Sequence, residues 1–250
     1  MDSYSASALG ELERADPDLL FKRVQELDDT GATLLLDSIR GDILERCRVD
    51  GYFWLRFVQT RDEADPERSI KPFPVELGYL RELWELLTNR QRVVVAKSRQ
   101  MLVSWVVAAF CVHWARFKSN QAIYWQTQHW RDACMMVCMP EGGFEGRCQF
   151  IETHLPPWMR VKVKFSEGCS NYGNGSIIQS LAGGADQIRS KVASVIVEDE
   201  FAKQEEATGV YTAVAPLIQK GAKVIVVSTP NGSGNMFATL WHGRPVGIAA

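Results

Sequence analysis

Runs of valine and isoleucine recur in the second part of the chain, and each run is followed by polar residues. Three of them, at 93–96, 195–197 and 224–227, are almost uninterrupted, which is typical of strands that are buried on both faces. Segments with apolar residues at helical spacing separate these strands. This alternation favours an α/β fold, with a mainly parallel sheet covered by helices on both faces.

The same patterns predict the remaining elements. Helices are predicted at 77–87, about 103–116, about 130–139, near 144–154 and in a segment that reaches about 219. Strands are predicted at 92–96, 122–126, 161–165, 176–179, 193–197 and 223–227. Residues 60–74 are charged and rich in proline, so we expect a loop there.

The first 60 residues have a separate, helical pattern. Asp16, Pro17 and Asp18 make a favourable helix start, and a second helix is predicted from 33 to about 47. We therefore expect residues 1–60 to form a helical segment packed on the core, and residues 61–250 to form the main domain.

Composition narrows the class of protein. Hydrophobic residues make up 46% of the 250 residues, which is ordinary for a globular chain and excludes a disordered one. No apolar stretch has the ~18–20 residues that cross a bilayer, so no membrane association is expected. The 28 basic and 30 acidic residues leave a net charge of −2, which gives no support for autonomous nucleic-acid binding outside a local patch.

The six cysteines contain no CxxC pair. Cys134 and Cys138 are four residues apart, on one face of a predicted helix, but the four histidines do not cluster with them. We interpret the cysteines as reduced, mostly buried thiols of an intracellular protein rather than as a zinc site.

The segment 93–105 has the strand–loop–helix form of a phosphate-binding loop. Aligned on the pattern G-x-x-x-x-G-K-[ST], Ser104 takes the final hydroxyl, while Lys97 and Leu102 take the two glycine positions. Two cations in the loop, Lys97 and Arg99, suit a highly charged anion, and Ser104 can reach Mg²⁺. The alternative is a solvated strand end followed by a core helix.

Two further polar segments follow predicted strands. In the first, Asp199 can orient Mg²⁺ and Glu200 can align the attacking water, although acids also favour a helix start. In the second, Ser228 and Thr229 can sense a γ-phosphate, although Pro-Asn-Gly at 230–232 is also a strong turn former. Because ligands bind at the carboxyl ends of parallel strands, we expect the loop and the acidic pair to face each other.

Three segments together resemble the ATPase domain of the large terminase subunit of tailed bacteriophages. They are 97–105 (KSRQMLVSW), 195–202 (VIVEDEFA) and 228–232 (STPNG), and the resemblance covers about residues 70–242. It implies a P-loop NTPase fold with an additional strand between the phosphate loop and the acidic strand, and a Mg²⁺-dependent ATPase. The expected nucleotide-binding residues are Lys97, Ser98, Arg99, Gln100, Ser104, Ser228 and Thr229. Ser104 and Asp199 are expected to hold Mg²⁺, and Glu200, Arg99 and Arg147 to act in catalysis.

The resemblance leaves three assignments open. Arg147 matches an arginine that is suggested to reach a neighbouring subunit's nucleotide, but it can equally be a surface arginine. The adenine pocket falls at 71–76 and Tyr79, where a ring can stack on the base or a helix can pack on the sheet. Trp125 and Trp130 are candidates for DNA stacking, whereas core packing is expected for the tryptophans at 54, 84, 105 and 114.

The function implied by the resemblance is that of a DNA-packaging motor. ATP hydrolysis would drive double-stranded DNA into a procapsid, with the small terminase subunit and the portal protein as partners and several copies forming a ring. The expected location is the cytoplasm of the host bacterium. Family members normally continue into a nuclease domain, for which the residues after 232 leave no room, so no nuclease activity is expected.

Two other functions remain compatible with the sequence. One is a helicase-like translocase core, which would need a second motor domain. The other is a degenerate P-loop module that binds nucleotide or a partner without hydrolysis. Leu102, which stands where the second glycine of the loop is usual, favours the latter.

Overall fold

The computed structural model describes residues 30–62, 69–98, 101–139 and 145–243. The chain divides into two compact units, Met1–Cys47 and Arg48–Ala250, and each is treated by itself. The described part of the first unit belongs to helix α1 (Thr30–Val49), which confirms the helix expected at 33–47. The helix start predicted at 16–18 lies outside the described residues. The packing of residues 1–60 on the core stays a prediction.

The second unit contains a short hairpin, a large sheet and the helices around it. Its strands are β1 (Gln59–Arg61), β2 (Ile70–Pro72), β3 (Arg92–Ala96), β4 (Ala122–Gln126), β5 (Val163–Ser166), β6 (Cys169–Tyr172), β7 (Ile177–Leu181), β8 (Val195–Asp199) and β9 (Lys223–Ser228). Its helices are α2 (Gly51–Trp54), α3 (Gly78–Asn89), α4 (Val103–Phe117), α5 (Trp130–Val137), α6 (Arg147–His154), α7 (Ala185–Arg189), α8 (Ala207–Gln219) and α9 (Met236–Trp241).

The large sheet has seven strands in the order β3-β9-β8-β4-β7-β6-β5. The strands from β3 to β7 in this order are parallel, and β6 and β5 extend the sheet antiparallel. This confirms the α/β fold with a mainly parallel sheet. Strand β9 lies between the strand before the loop and the acidic strand, so it is the additional strand that the resemblance implied.

Side chains on the two faces of the sheet pack against different helices. Ile196, Val224 and Val226 belong to one hydrophobic cluster with residues of α8 and α9. Their neighbours along each strand point to the opposite face, because side chains alternate along a strand. On that face α4 contacts β4 and β7, and α3 and α6 contact α4. Helices on both faces were expected from the continuous Val/Ile runs.

A buried ion pair joins α4 to α6. Arg116 Nη1 lies 2.7 Å from Glu152 Oε2, and the two side chains are 2% and 3% exposed. Burial raises the pKa of the Glu152 carboxyl, and the charge of Arg116 opposes this shift. The pair fixes the position of α6, whose first residue is Arg147.

The structure corrects several sequence-based boundaries. The expected loop at 60–74 is wrong at both ends, because β1 and β2 pair there as an antiparallel hairpin. Strand β6 and the short helices α7 and α9 were not predicted. Among the described residues, no helix has both the length and the apolar character needed to span a bilayer.

Candidate functional site

A large cavity of about 1010 Å³ opens at the carboxyl edge of the parallel strands. Its walls come from the loop after β3, the first turn of α4, the turn after β8 and the residue after β9. The β1–β2 hairpin, the segment after β4 and the first residue of α6 complete it. The cavity therefore lies where ligands bind in open α/β sheets.

Lys97 lines this cavity and contacts several of its polar groups. Its Nζ donates to Ser104 Oγ at 2.9 Å and to Asp199 Oδ1 at 3.3 Å, and lies 3.4 Å from Glu200 Oε1. The side chain is only 12% exposed. One ammonium thus joins the loop, α4 and the turn after β8, which confirms that the two strand ends face each other.

The turn after β8 is sharp and tightly bonded. Glu200 has φ 50°, in the left-handed region that non-glycine residues seldom adopt, and its amide donates to Asp199 Oδ1 at 3.0 Å. Gln204 Nε2 donates to the Asp199 carbonyl at 3.2 Å. Backbone strain of this kind is retained at functional sites, where the surrounding structure holds it in place.

The two acids of this turn have opposite pKa shifts. Burial raises the pKa of the Asp199 carboxyl, and the charge of Lys97 only partly offsets it. Burial would also raise the pKa of Glu200, but the hydrogen bond from Lys203 and the charges of Lys97 and Lys203 lower it below its usual value. The surroundings therefore favour the ionised form of Glu200 and disfavour that of Asp199.

Glu198 faces away from this pair. It is the neighbour of Asp199 on β8, so its side chain points to the other face of the sheet. Burial raises the pKa of its carboxyl to about 8, and Gln204 Nε2 donates to its Oε2 at 3.3 Å. It supports the turn from behind and does not line the cavity.

The loop after β3 adopts the conformation that a glycine would supply. Leu102 has φ 53° and ψ 6°, and α4 begins at the next residue. Tyr79 Oη donates to the Met101 carbonyl at 3.2 Å and so ties α3 to the loop. Ser98 is exposed and lines the cavity. Arg99 and Gln100 lie outside the described residues.

The two polar residues at the end of β9 have different surroundings. Thr229 lines the cavity, and its Oγ1 donates to Glu200 Oε2 at 3.1 Å. Ser228 is fully buried; its Oγ accepts from the Ala202 amide at 3.0 Å and donates to the Thr229 carbonyl at 2.9 Å. Ser228 therefore lies behind the cavity wall and braces the acidic turn.

Arg147 lines the cavity of its own chain. Its guanidinium lies 5.4 Å from the centre of the Trp105 ring, and Nη1 donates to Met136 Sδ at 2.8 Å. Of the two tryptophans considered for DNA stacking, Trp125 is fully buried and Trp130 is 43% exposed. The interpretation of Trp125 as a DNA contact is wrong, because β4 lies inside the sheet.

The region expected to hold a base is split between the cavity and the core. Lys71, Pro72 and Pro74 line the cavity, whereas Phe73 is buried. Glu76 is exposed. The β1–β2 hairpin thus places this segment beside the loop.

Sequence reasoning missed several cavity residues. Lys203 Nζ lies 2.9 Å from Glu200 Oε2. The spacing of three residues between the lysine and the glutamate was the signal in the sequence for this ion pair. Thr127, His129 and Asp132, after β4, also line the cavity, and their position at a strand end could have indicated this.

The oxygen donors at Lys97 suit a small divalent cation. Ser104 Oγ and Asp199 Oδ1 both contact the Lys97 ammonium, so a hydroxyl and a carboxylate converge on one point. Mg²⁺ prefers such hard oxygen ligands and usually takes only one or two from the protein besides substrate phosphates. Across the described ranges, no set of three or more His, Cys, Asp or Glu side chains forms a metal cage. The residues present therefore fit Mg²⁺ bound together with a phosphate ligand.

The chain thus has an α/β fold with a mainly parallel sheet and a strand–loop–helix unit from β3 to α4. No protein-family model matches the chain. Solved structures of phage large terminases are similar to it in fold. The large terminase of bacteriophage HK97 has a TM-score of 0.52 at 9% identity, over 76% of this chain and 41% of that one.

Two further structures come from other phages. The large terminase of a thermophilic bacteriophage, in complex with ADP, has a TM-score of 0.51 at 12% identity, over 68% of this chain and 42% of that one. The large terminase ATPase domain of Thermus phage P74-26 has a TM-score of 0.45 at 14% identity, over 60% and 63% of the two chains. The match thus spans less than half of the HK97 chain and of the ADP-bound chain, and less than two thirds of the P74-26 domain. At identities this low, the similarity to the HK97 and ADP-bound terminases shows a shared fold and no more.

Proposed function

We propose that this chain is the ATP-hydrolysing motor domain of a phage terminase large subunit. The observation that carries the proposal is the convergence of Ser104, Asp199 and Glu200 on the Lys97 ammonium. Ser104 comes from the start of α4, Asp199 and Glu200 come from the end of β8 and the turn after it, and they meet at one point of the cavity. A cation, a hydroxyl, a buried carboxylate and an ionised carboxylate are the groups that phosphoryl transfer to water requires.

In this proposal the loop after β3 holds the phosphates. Lys97 starts the loop, yet its Nζ reaches Ser104 at the start of α4, so it can serve a phosphate bound between them. Backbone amides at the start of α4 add donors for an anion, together with Ser98, Arg99 and Gln100. Leu102 already has the left-handed backbone for which the common pattern uses glycine, which supports phosphate binding despite the departure from that pattern.

Ser104 and Asp199 would hold Mg²⁺. The ion would neutralise part of the charge that develops on the phosphates during transfer. Glu200 would accept a proton from the attacking water, and its lowered pKa keeps it ionised for this role at neutral pH. Thr229, which donates to Glu200, would couple the state of the nucleotide to β9.

The cavity also offers groups for the rest of the nucleotide. Lys71 and Pro72 of the hairpin are beside the loop, in the region where an adenine pocket is expected. Arg147 would act as the further catalytic cation. Because it lines its own chain's cavity, its position favours a contact with the nucleotide of the same subunit over the expected contact with a neighbour's.

The wider motor function follows from the same proposal. Double-stranded DNA would be the cargo, with the small terminase subunit and portal protein as partners and several copies arranged in a ring. The fold shared with phage large terminases supports this assignment, and the ADP bound in one of those structures supports a nucleotide ligand.

The decisive experiment compares phosphate release by the wild type and by Glu200→Gln. The substitution removes the proton acceptor and leaves Lys97, Ser104 and Asp199 in place. We expect turnover to fall at least ~10²-fold while ATP affinity is kept. Equal rates for the two proteins would instead indicate a nucleotide- or partner-binding module without hydrolysis.

A further inference from the structure

Lys203 lines the cavity but does not contact the Lys97 ammonium directly. It ends the 3₁₀ turn Phe201–Lys203, directly after Glu200, and its amide donates to the Glu200 carbonyl at 2.9 Å. The turn folds its side chain back toward the carboxylate, and Nζ lies 2.9 Å from Glu200 Oε2. Both residues line the cavity.

The two oxygens of Glu200 have different partners. Oε2 is contacted by Lys203 Nζ and accepts a hydrogen bond from Thr229 Oγ1 at 3.1 Å. Oε1 lies 3.4 Å from Lys97 Nζ, on the side of the loop after β3. A carboxylate held through one oxygen by two donors has a defined plane, so its other oxygen keeps a fixed direction.

The contact between Lys203 and Glu200 contributes little to folding. The two side chains are 48% and 34% exposed, and ion pairs this open to water stabilise proteins only weakly. The positional effect is larger, because an error of one ångström in a reacting group can cost about 10²-fold in rate.

We propose that Lys203 is a positioning residue for ATP hydrolysis. With Thr229 it holds Oε2 of Glu200, so that Oε1 is presented to the water that attacks the γ-phosphate. In that step the water oxygen bonds to the γ-phosphorus, and the bond to the β–γ bridging oxygen breaks. Its electron pair stays on ADP, and the water proton passes to Oε1. The inference rests on the proposed ATPase function.

The first test is the steady-state kinetics of Lys203→Met, Lys203→Arg and Lys220→Met. Lys220 is an exposed lysine at the end of α8 and is the matched control. We expect kcat to fall about 10- to 100-fold in Lys203→Met, with KM for ATP changed less than about 3-fold. Lys203→Arg should recover part of the rate, because the guanidinium can still donate to Oε2. Lys220→Met should match the wild type.

The second test separates positioning from a direct contact with phosphate. ATP affinity is compared between Glu200→Gln and the double variant Glu200→Gln/Lys203→Met, neither of which is expected to turn over ATP appreciably. Affinities within about 3-fold support the inference, since Lys203 then acts only through residue 200. Affinity weakened about 10-fold or more would show a direct phosphate contact and overturn it.

The outcomes distinguish failure of this inference from failure of the proposed function. A wild type without ATPase activity, or one equal to Glu200→Gln, contradicts the function itself. A wild type that is active when Glu200→Gln is not, together with unchanged kcat in Lys203→Met, overturns only the role of Lys203. Thermal unfolding of each variant checks that it is folded.

Discussion

Two clusters of opposite charge in the described part of the chain differ in how their charges are matched. Between α4 and α6, Arg116 and Glu152 make one short contact, away from solvent. At the cavity, one ammonium, that of Lys97, is shared at longer distances by Asp199 and Glu200, as well as by the Ser104 hydroxyl. The first cluster is a closed pair, and the second is an open group with several partners.

The comparison separates two uses of buried charge. A closed pair is balanced in charge by its own partner and lies away from the cavity, so it contributes to helix packing and not to ligand binding. An open group beside a cavity can change partners when an anion enters. Its carboxyl pKa values are also shifted in opposite directions, as is common where a site performs chemistry. The burial of charged groups alone does not distinguish the closed pair from the open group.

The largest effect is expected when the open group loses its cation. In Lys97→Met, phosphate release should fall roughly 10³-fold, because the preorganised charge for the phosphates is removed. The free energy of unfolding should change little, since Asp199 can take up a proton when the ammonium is removed. The control is Lys162→Met, an exposed lysine next to β5. Turnover within about 3-fold of the wild type in Lys97→Met would contradict the assignment.

Substitution in the closed pair should lower stability strongly and ATP turnover only weakly. Glu152→Ala leaves the Arg116 guanidinium buried without its carboxylate, and we expect about 3–5 kcal/mol of destabilisation in urea unfolding. ATP turnover per folded molecule should fall far less than in Lys97→Met, because the pair is linked to the cavity only through Arg147 at the start of α6. Replacing both partners, as Arg116→Met with Glu152→Leu, should recover much of the stability. A loss below about 1 kcal/mol in Glu152→Ala would remove the contrast between the clusters.

The smallest effect concerns the loop that carries Lys97. Leu102→Val should destabilise the protein by about 1–2 kcal/mol, because a β-branched residue tolerates the left-handed conformation poorly. Leu102→Gly should stay within about 1 kcal/mol of the wild type, since glycine adopts this conformation freely. Chemical unfolding of both variants measures the change in stability, and their ATP affinity measures the effect on the loop. Equal behaviour of valine and glycine would show that the backbone conformation at 102 is not decisive.

Much of the fold was predictable because its central strands are uninterrupted apolar runs. The predicted bounds of β3 and β4 agree with the structure, since polar residues border both strands. The hairpin β1–β2 was missed because three-residue strands are too short to show alternation. Strand β6, with Cys-Ser-Asn-Tyr at 169–172, has no apolar pattern to reveal it.

Only those parts of the candidate site that are placed by the ends of strands could be predicted from the sequence. Lys97, Asp199 and Glu200 were expected to meet because parallel strands end at one edge. The direction of a side chain after a turn depends on local backbone angles, such as φ 50° at Glu200, and these were not readable from residue types. For this reason Lys203 was overlooked, and Ser228 was expected at the ligand but lies behind the cavity wall.

The burial of Ser228 has a mechanical consequence. The Ser228 carbonyl accepts from the Lys97 amide at 3.0 Å, while its hydroxyl accepts from Ala202 in the turn after β8. Strand β9 is therefore bonded at its end to both the loop after β3 and the turn after β8, so a shift of either segment acts on the same strand end. If the chain is a motor as proposed, we expect a displacement of this strand end to be passed on to the residues beyond Thr229, which lead into α9.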